Sequence, residues 1–220
     1  MRIRKYIHSC ILVESGDARI LIDPGKFSFL DGAVKPETFS DLTAILITHP
    51  HPDHVDDQAL KKIVERNPNA PVLANTQIRE QLAKSGIEVE VFEAGTRRIE
   101  GCRVEAIGAP HARLLNAEAP QNVAYVIDDR LLHPGDSFDH ALDVRMGIEI
   151  LALPITAPWT SELSVAEFTL RLGPKIVFPI HDGYVKDFFL TSRYDNFKSY
   201  FEKNGIEFVA LKEPGDSLER

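Results

Sequence analysis

The stretch Thr48–Asp57, THPHPDHVDD, places three of the chain's eight histidines within six positions and follows each of the first two with a proline. A residue that precedes proline is pushed out of the α region into an extended conformation. His49 and His51 both precede proline, and side chains two apart on an extended chain point the same way, so the two imidazoles can converge on one ion. Asp53 and His54 follow where the chain is expected to enter a helix near Val55, which turns their side chains toward a second point nearby. Imidazole and carboxylate donors without thiolate suit zinc, iron or manganese.

The flanks give the stretch its setting. TAILIT (residues 43–48) is a continuous apolar run, as in a strand covered on both faces. After the histidines, Leu60, Ile63 and Val64 recur at helical spacing, and Asn67-Pro68 supplies the stop. Upstream, YIHSCILVES (6–15) and RILIDPG (19–25) read as strands around a turn, and residues 26–42 as a loop. Downstream, strands are expected in 71–76, 89–95, 97–111, 122–136, 147–155 and 174–182, with a last edge strand in 206–216. Helices are expected in 76–86, 164–173 and 186–205. Several strands followed by helix–strand alternation, twice over, predict a four-layer αββα sandwich, with residues 1–220 as one domain.

Composition limits the function. At 44% hydrophobic and 26% charged, with no apolar run near the roughly 20 residues a bilayer requires, the chain reads as a cytoplasmic globular protein. The start MRIRKYIHSC carries basic residues without the apolar segment of a secretory signal. Cys10 and Cys102 make no disulfide framework and read as small buried hydrophobes. A net charge of −8 argues against nucleic acid as a partner, since such affinity comes from neutralising phosphates, but leaves room for a small anionic substrate drawn in by a metal cation.

Four residues do not complete a two-metal site, so further donors are expected at strand ends beside Gly or Pro. His111 follows the Gly-Ala-Pro break after VEAIGAP, Asp136 follows Pro134-Gly135, and His181 ends KIVFPIH. His8 lies among apolar neighbours and reads either as a core histidine or as a group facing the pocket. His133 and His140 read as structural or solvent-exposed, and Asp23 as a turn residue or a partner that orients a ligand histidine. The aromatic face of 186–205 reads as core or as a homo-oligomer contact.

THPHPDH resembles the His-x-His-x-Asp-His motif of the metallo-β-lactamase fold hydrolases, and His111, Gly135-Asp136 and His181 resemble that family's remaining ligand motifs in order. IHSCILVE and PKIVFPIHDG further resemble the small hydrolases related to the L-ascorbate-6-phosphate lactonases. The resemblance implies an αββα fold and two divalent ions, zinc first, with manganese or iron as alternatives. It implies that His49, His51 and His111 bind one ion, Asp53, His54 and His181 the other, and that Asp136 bridges them. The chain departs from that pattern at LPITAPWTS, where Trp159 stands among residues that are usually small, and at Ile7, where glycine is usual.

Two such ions, about 3.5–4 Å apart, share a water and lower its pKa toward 7, so the expected reaction is hydrolysis of a lactone, ester or phosphodiester bond of a small molecule. Asp53 is expected to act as a catalytic proton acceptor as well as a ligand, with His8 as a second catalytic candidate. The alternatives are an iron-dependent dioxygenase or redox protein on the same scaffold, and a metal-binding protein without turnover.

Overall fold

Along Ala44–Ile47, alternate side chains enter different apolar layers. Ala44 and Leu46 pack with Val104, Tyr125, Ala152 and Phe178, whereas Ile45 and Ile47 pack with Leu60, Ile63 and Ile78. This strand is therefore covered on both faces, as its unbroken apolar run predicts. The protein is described by a computed structural model of residues 1–220.

The first sheet runs β1 (Arg2–Lys5), β2 (Ile11–Ser15), β3 (Ala18–Ile22), β4 (Ala44–Leu46), β5 (Val72–Ala74) and β6 (Glu90–Val91), in that order. The second contains β7 (Gly95–Ile99), β8 (Cys102–Gly108), β9 (Val123–Ile127), β10 (Leu131–His133), β11 (Ile150–Pro154), β12 (Ile176–Ile180) and β13 (Glu207–Phe208), again in spatial order. The last strand, β14 (Ser217–Glu219), returns to pair with β1. The helices are α1 (Lys26–Phe29), α2 (Asp57–Arg66), α3 (Thr76–Ala83), α4 (Glu162–Leu172) and α5 (Asp187–Lys203).

The inner faces of both sheets share one core of 25 buried residues. The outer face of the first sheet packs on Leu60, Ile63, Ile78 and Leu82 of α2 and α3. That of the second packs on Val165, Phe168 and Leu172 of α4 and on Tyr194, Phe197 and Phe201 of α5. The order helix, sheet, sheet, helix is the αββα sandwich expected from sequence. No helix is long and apolar enough to cross a membrane.

Several local expectations need correction. Residues 6–15 are not one strand: Tyr6 to Cys10 form a turn closed by the Tyr6 N–H to Cys10 carbonyl bond (2.8 Å), and His8 sits in it with φ 64°. His8 is therefore a turn residue and not a member of the Tyr6–Leu12 stripe. Helix α2 begins only after Asp56, whose carboxylate accepts from the Ala59 N–H, so Asp53 and His54 occupy a separate turn held by His54 N–H to His51 C=O (2.9 Å). Residues 206–216 contribute only the two-residue β13, and the pairing of residues 217–219 with β1 was not foreseen. On α5, Tyr194, Phe197 and Phe201 are core, while Phe188, Phe189 and Tyr200 are exposed.

Candidate metal centre

Strand direction explains why distant residues meet. In the first sheet β1, β3, β4 and β5 run parallel to one another, β1 and β3 through the intervening antiparallel β2. In the second, β8, β10, β11 and β12 share one direction, because β9 is antiparallel to both β8 and β10. The carboxyl ends of parallel strands lie at one rim, where ligands of layered α/β proteins usually bind. His8 follows β1, Asp23 follows β3, and His49 to His54 follow β4. His111, Asp136 and His181 follow β8, β10 and β12.

Two groups of donor atoms gather at that rim. One comprises His49, His51, His111 and Asp136, and the other His8, Asp53, His54 and His181; within each group the donor atoms lie within 4.8 Å of one another. Asp136 reaches both. Its Oδ2 is 3.5 Å from His111 Nε2 and 3.1 Å from His181 Nε2, and its Oδ1 is 3.3 Å from His54 Nε2. Gly135 allows this placement: its φ is 59°, and a Cβ there would stand 2.1 Å from Asn122 Oδ1, the acceptor of the Asp136 N–H.

Hydrogen bonds set the ring nitrogens. The Thr48 hydroxyl donates to Asp23 (2.7 Å), so it accepts from His49 Nδ1–H (3.0 Å) and leaves Nε2 with its lone pair. His54 Nδ1–H donates to Asp23 (2.7 Å), His111 Nδ1–H to the Ala112 carbonyl (2.6 Å), and His181 Nδ1–H to the Thr156 carbonyl (2.5 Å). His49, His111 and His181 thus turn an unprotonated Nε2 inward, and His54 directs its Nε2 to the same space. His111 Nε2, His181 Nε2 and Asp136 Oδ1 are buried without any hydrogen-bond partner. Buried acceptors that point at one another without donors are costly, and a divalent cation satisfies them. The residues present therefore fit metal ions.

The electrostatics agree. Burial depresses His49 well below the ordinary histidine value. Burial also pulls on His54, but Asp136 and Asp23 outweigh it and hold this imidazole well above that value. Burial would raise Asp136, yet His181, His54 and His49 keep it well below the carboxylate range. Asp136 thus stays ionised among the imidazoles and offers a negative charge that a cation can share with them.

His8 differs from the other clustered histidines. It is fully buried, its Nδ1 accepts from the Gly183 N–H (3.0 Å), and its Nε2–H donates to Asp53 Oδ2 (3.0 Å). Both nitrogens are engaged, and burial brings its pKa down to about 4, so the ring is neutral. Its geometry orients Asp53 and leaves no face for substrate, unlike the catalytic role expected from sequence. Asp53 Oδ2 also accepts from the Tyr184 hydroxyl (2.7 Å). His133 is buried behind the centre, accepting from the Gly135 N–H and donating to the Ser9 carbonyl, while His140 is exposed beside Asp143.

Three participants were not predicted: Thr48, Thr156 and Tyr184. Tyr184 stands three residues after His181 beyond Gly183, a strand-end setting of the kind that identified the histidines. Thr156 orients the His181 ring through its backbone carbonyl, which no side-chain pattern reveals, and its hydroxyl donates to the His181 carbonyl. Trp159, which the sequence marks only as a departure from the family pattern, places its indole N–H on Asp136 Oδ2 (3.0 Å) and so touches the carboxylate common to both groups.

Two sheets in an αββα sandwich, with paired His/Asp groups at their common rim, define a metallo-β-lactamase fold protein. Residues 2–181 match the β-lactamase superfamily domain. The chain is 35% identical to protein Rv0786c of Mycobacterium tuberculosis over 84% of this chain and 85% of that protein. It is 32% identical to the UPF0173 metal-dependent hydrolase Ta0764 of Thermoplasma acidophilum over 79% of this chain and 80% of that protein. The fold is similar to the metallo-β-lactamase fold protein YhfI of Bacillus subtilis, with TM-score 0.69, 17% identity and coverage of 100% of this chain and 99% of that one. The chain belongs to the β-lactamase superfamily and, within it, to the UPF0173 metal-dependent hydrolases.

Proposed function

We propose that the protein is a hydrolase that holds two divalent cations, zinc first, and cleaves a lactone, ester or phosphodiester bond of a small molecule. His49, His51 and His111 would hold one ion, Asp53, His54 and His181 the other, and Asp136 would serve both. One observation carries this reading: Asp136 Oδ1, His111 Nε2 and His181 Nε2 are buried, aimed at a common space and lack any protein donor. Bound there, divalent cations supply Lewis acidity and lower the pKa of water from 15.7 toward about 7.

The chain's own groups provide the rest. Asp53 would be an ionised acceptor, because hydrogen bonds and charge from His8, His54 and Tyr184 outweigh the effect of its burial. Tyr184 would be a neutral donor at the open side: burial, then its bond to Asp53, raises its phenol above the ordinary value, and the residue is still 48% exposed. It would donate to a substrate oxygen when Asp53 turns to a proton in transit. Trp159 would restrict how Asp136 can rotate.

The test is elemental analysis of protein purified without chelator, followed by assays on lactones, esters and phosphodiesters with the metal found. About two equivalents of zinc and metal-dependent turnover, lost in His51→Ala and Asp136→Ala, are expected. Unchanged turnover in both variants overturns the reading, as does iron accompanied by oxygen consumption.

A further inference from the structure

A cavity of about 280 Å³ lies between the loop after β11 and the start of α5, with Thr156, Ala157, Pro158, Tyr184, Phe189 and Arg193 in its wall. Two of these residues also touch the metal centre. The Thr156 carbonyl accepts from His181, and the Tyr184 hydroxyl donates to Asp53. The cavity therefore borders the side of the centre where Tyr184 faces outward.

Its wall is mainly apolar and includes a single formal charge, Arg193. That side chain is only 16% exposed. Its guanidinium carbon lies 5.0 Å from the Phe189 ring centre and 5.7 Å from that of Phe197, one helical turn to either side, so cation–π contacts fix its direction. Nε is buried and makes no hydrogen bond. The neighbouring carboxylate, Glu162, is 3.4 Å from Nε but 50% exposed, and its hold is weakened by solvent. A buried Nε–H without a hydrogen bond is costly until an acceptor arrives, and here the cavity provides room for one.

Building on the hydrolytic reading above, we infer that this cavity is a substrate subsite that selects a carboxylate, with Arg193 as the recognising group. The substrate class is then an ester or lactone of a short acid that carries a second, free carboxylate. The planar fork of a guanidinium matches the two oxygens of a carboxylate, and the apolar wall suits the methylenes between the two ends. Arg193 is the sole cation in the wall, so the cavity suits a monoanion better than a phosphate dianion.

Trp159, the chain's sole tryptophan, lies between Pro158 and Thr160 of the cavity loop, so its emission reports occupancy without turnover. The metal-loaded full chain is titrated with glutaramate, a carboxylate without an ester, and assayed with monomethyl and dimethyl glutarate. Losing a charge-assisted hydrogen bond, Arg193→Gln is expected to weaken glutaramate binding and to raise KM for the monomethyl ester by about tenfold or more. Its kcat, its metal content and its KM for the dimethyl ester are expected to stay unchanged. Arg193→Lys should recover part of the loss. Ala157→Leu, which narrows the cavity and leaves Arg193 in place, should also weaken glutaramate. Equal glutaramate binding by wild type and both Arg193→Gln and Ala157→Leu overturns the inference, as does an equal loss for the two esters. If glutaramate binds in an Arg193-dependent way and neither ester is cleaved, the subsite stands and ester hydrolysis falls. If both esters are cleaved equally well by wild type and Arg193→Gln, hydrolysis stands and the subsite falls.

Discussion

Asp23 accepts from the Thr48 amide (2.8 Å), the Thr48 hydroxyl (2.7 Å) and His54 Nδ1 (2.7 Å), so the tautomers of His49 and His54 both depend on one carboxylate. Asp23→Asn keeps its volume but puts a donor where an acceptor is needed. Metal affinity is expected to fall by roughly 10–100-fold, as read by competition with a coloured chelator. His8 gives a pH dependence. Its folded pKa is about 4 against an ordinary 6.5, so between those values the unfolded chain binds more protons. Stability from this residue is complete above about pH 6.5 and is lost as pH falls toward 4. Urea unfolding of chelator-treated protein should lose about 2 kcal/mol from this group between pH 7 and pH 5, and His8→Gln should flatten that slope. A slope unchanged in the variant would remove His8 from the account.

The loops at the strand ends are held by backbone approach as much as by side chains. A Cβ on Gly25 would lie 1.7 Å from the Asp53 carbonyl oxygen, so the loop after β3 is packed against the turn that carries Asp53 and His54. Gly25→Ala must displace that turn. Purified variant is expected to contain less metal in the group with Asp53, measured by elemental stoichiometry, even if it folds. At the other end of the site, His181 is followed by Asp182, which accepts from buried Lys5 at the end of β1 (2.7 Å) and from Tyr194 of α5 (2.5 Å). Lys5→Met leaves Asp182 short of its cation. That should cost about 3–5 kcal/mol in thermal or urea unfolding, the usual result of breaking a buried pair from one side. At this scale the sequence was read well where the apolar pattern is long, as in β4 and β12. It was misread at residues 6–15, where alternation continues through a turn that only the β1–β2 pairing reveals.

For the whole molecule, two sheets meet with the carboxyl ends of their parallel strands at one rim, and Asp136 Oδ1, His111 Nε2 and His181 Nε2 crowd there without protein donors. Ions that bind the folded chain alone stabilise it by mass action, by about 4 kcal/mol at a free concentration 1,000 times Kd. Removal of metal with a chelator should therefore lower Tm measurably, and restoring the ion should recover it. An unchanged Tm would mean that the buried acceptors find another partner. Tyr125 ties the halves at this end, its hydroxyl donating from β9 to the Ile47 carbonyl across the core (3.1 Å).

The sequence by itself determined the αββα layering, because alternation and unbroken apolar runs state which faces are covered. It also marked out His49, His51, Asp53, His54, His111, Asp136 and His181, since each has a donor side chain in a strand-end context with Gly or Pro nearby. Only the tertiary structure decided what surrounds them. His8 became a support for Asp53 when both its nitrogens found partners, and Tyr184, Thr156 and Trp159 joined the centre across gaps in sequence that no period encodes. The physical reason is that periodicity records burial, which is a property of one element against a layer. Hydrogen bonds and ion sites record direction, which exists only after the two sheets have been brought face to face.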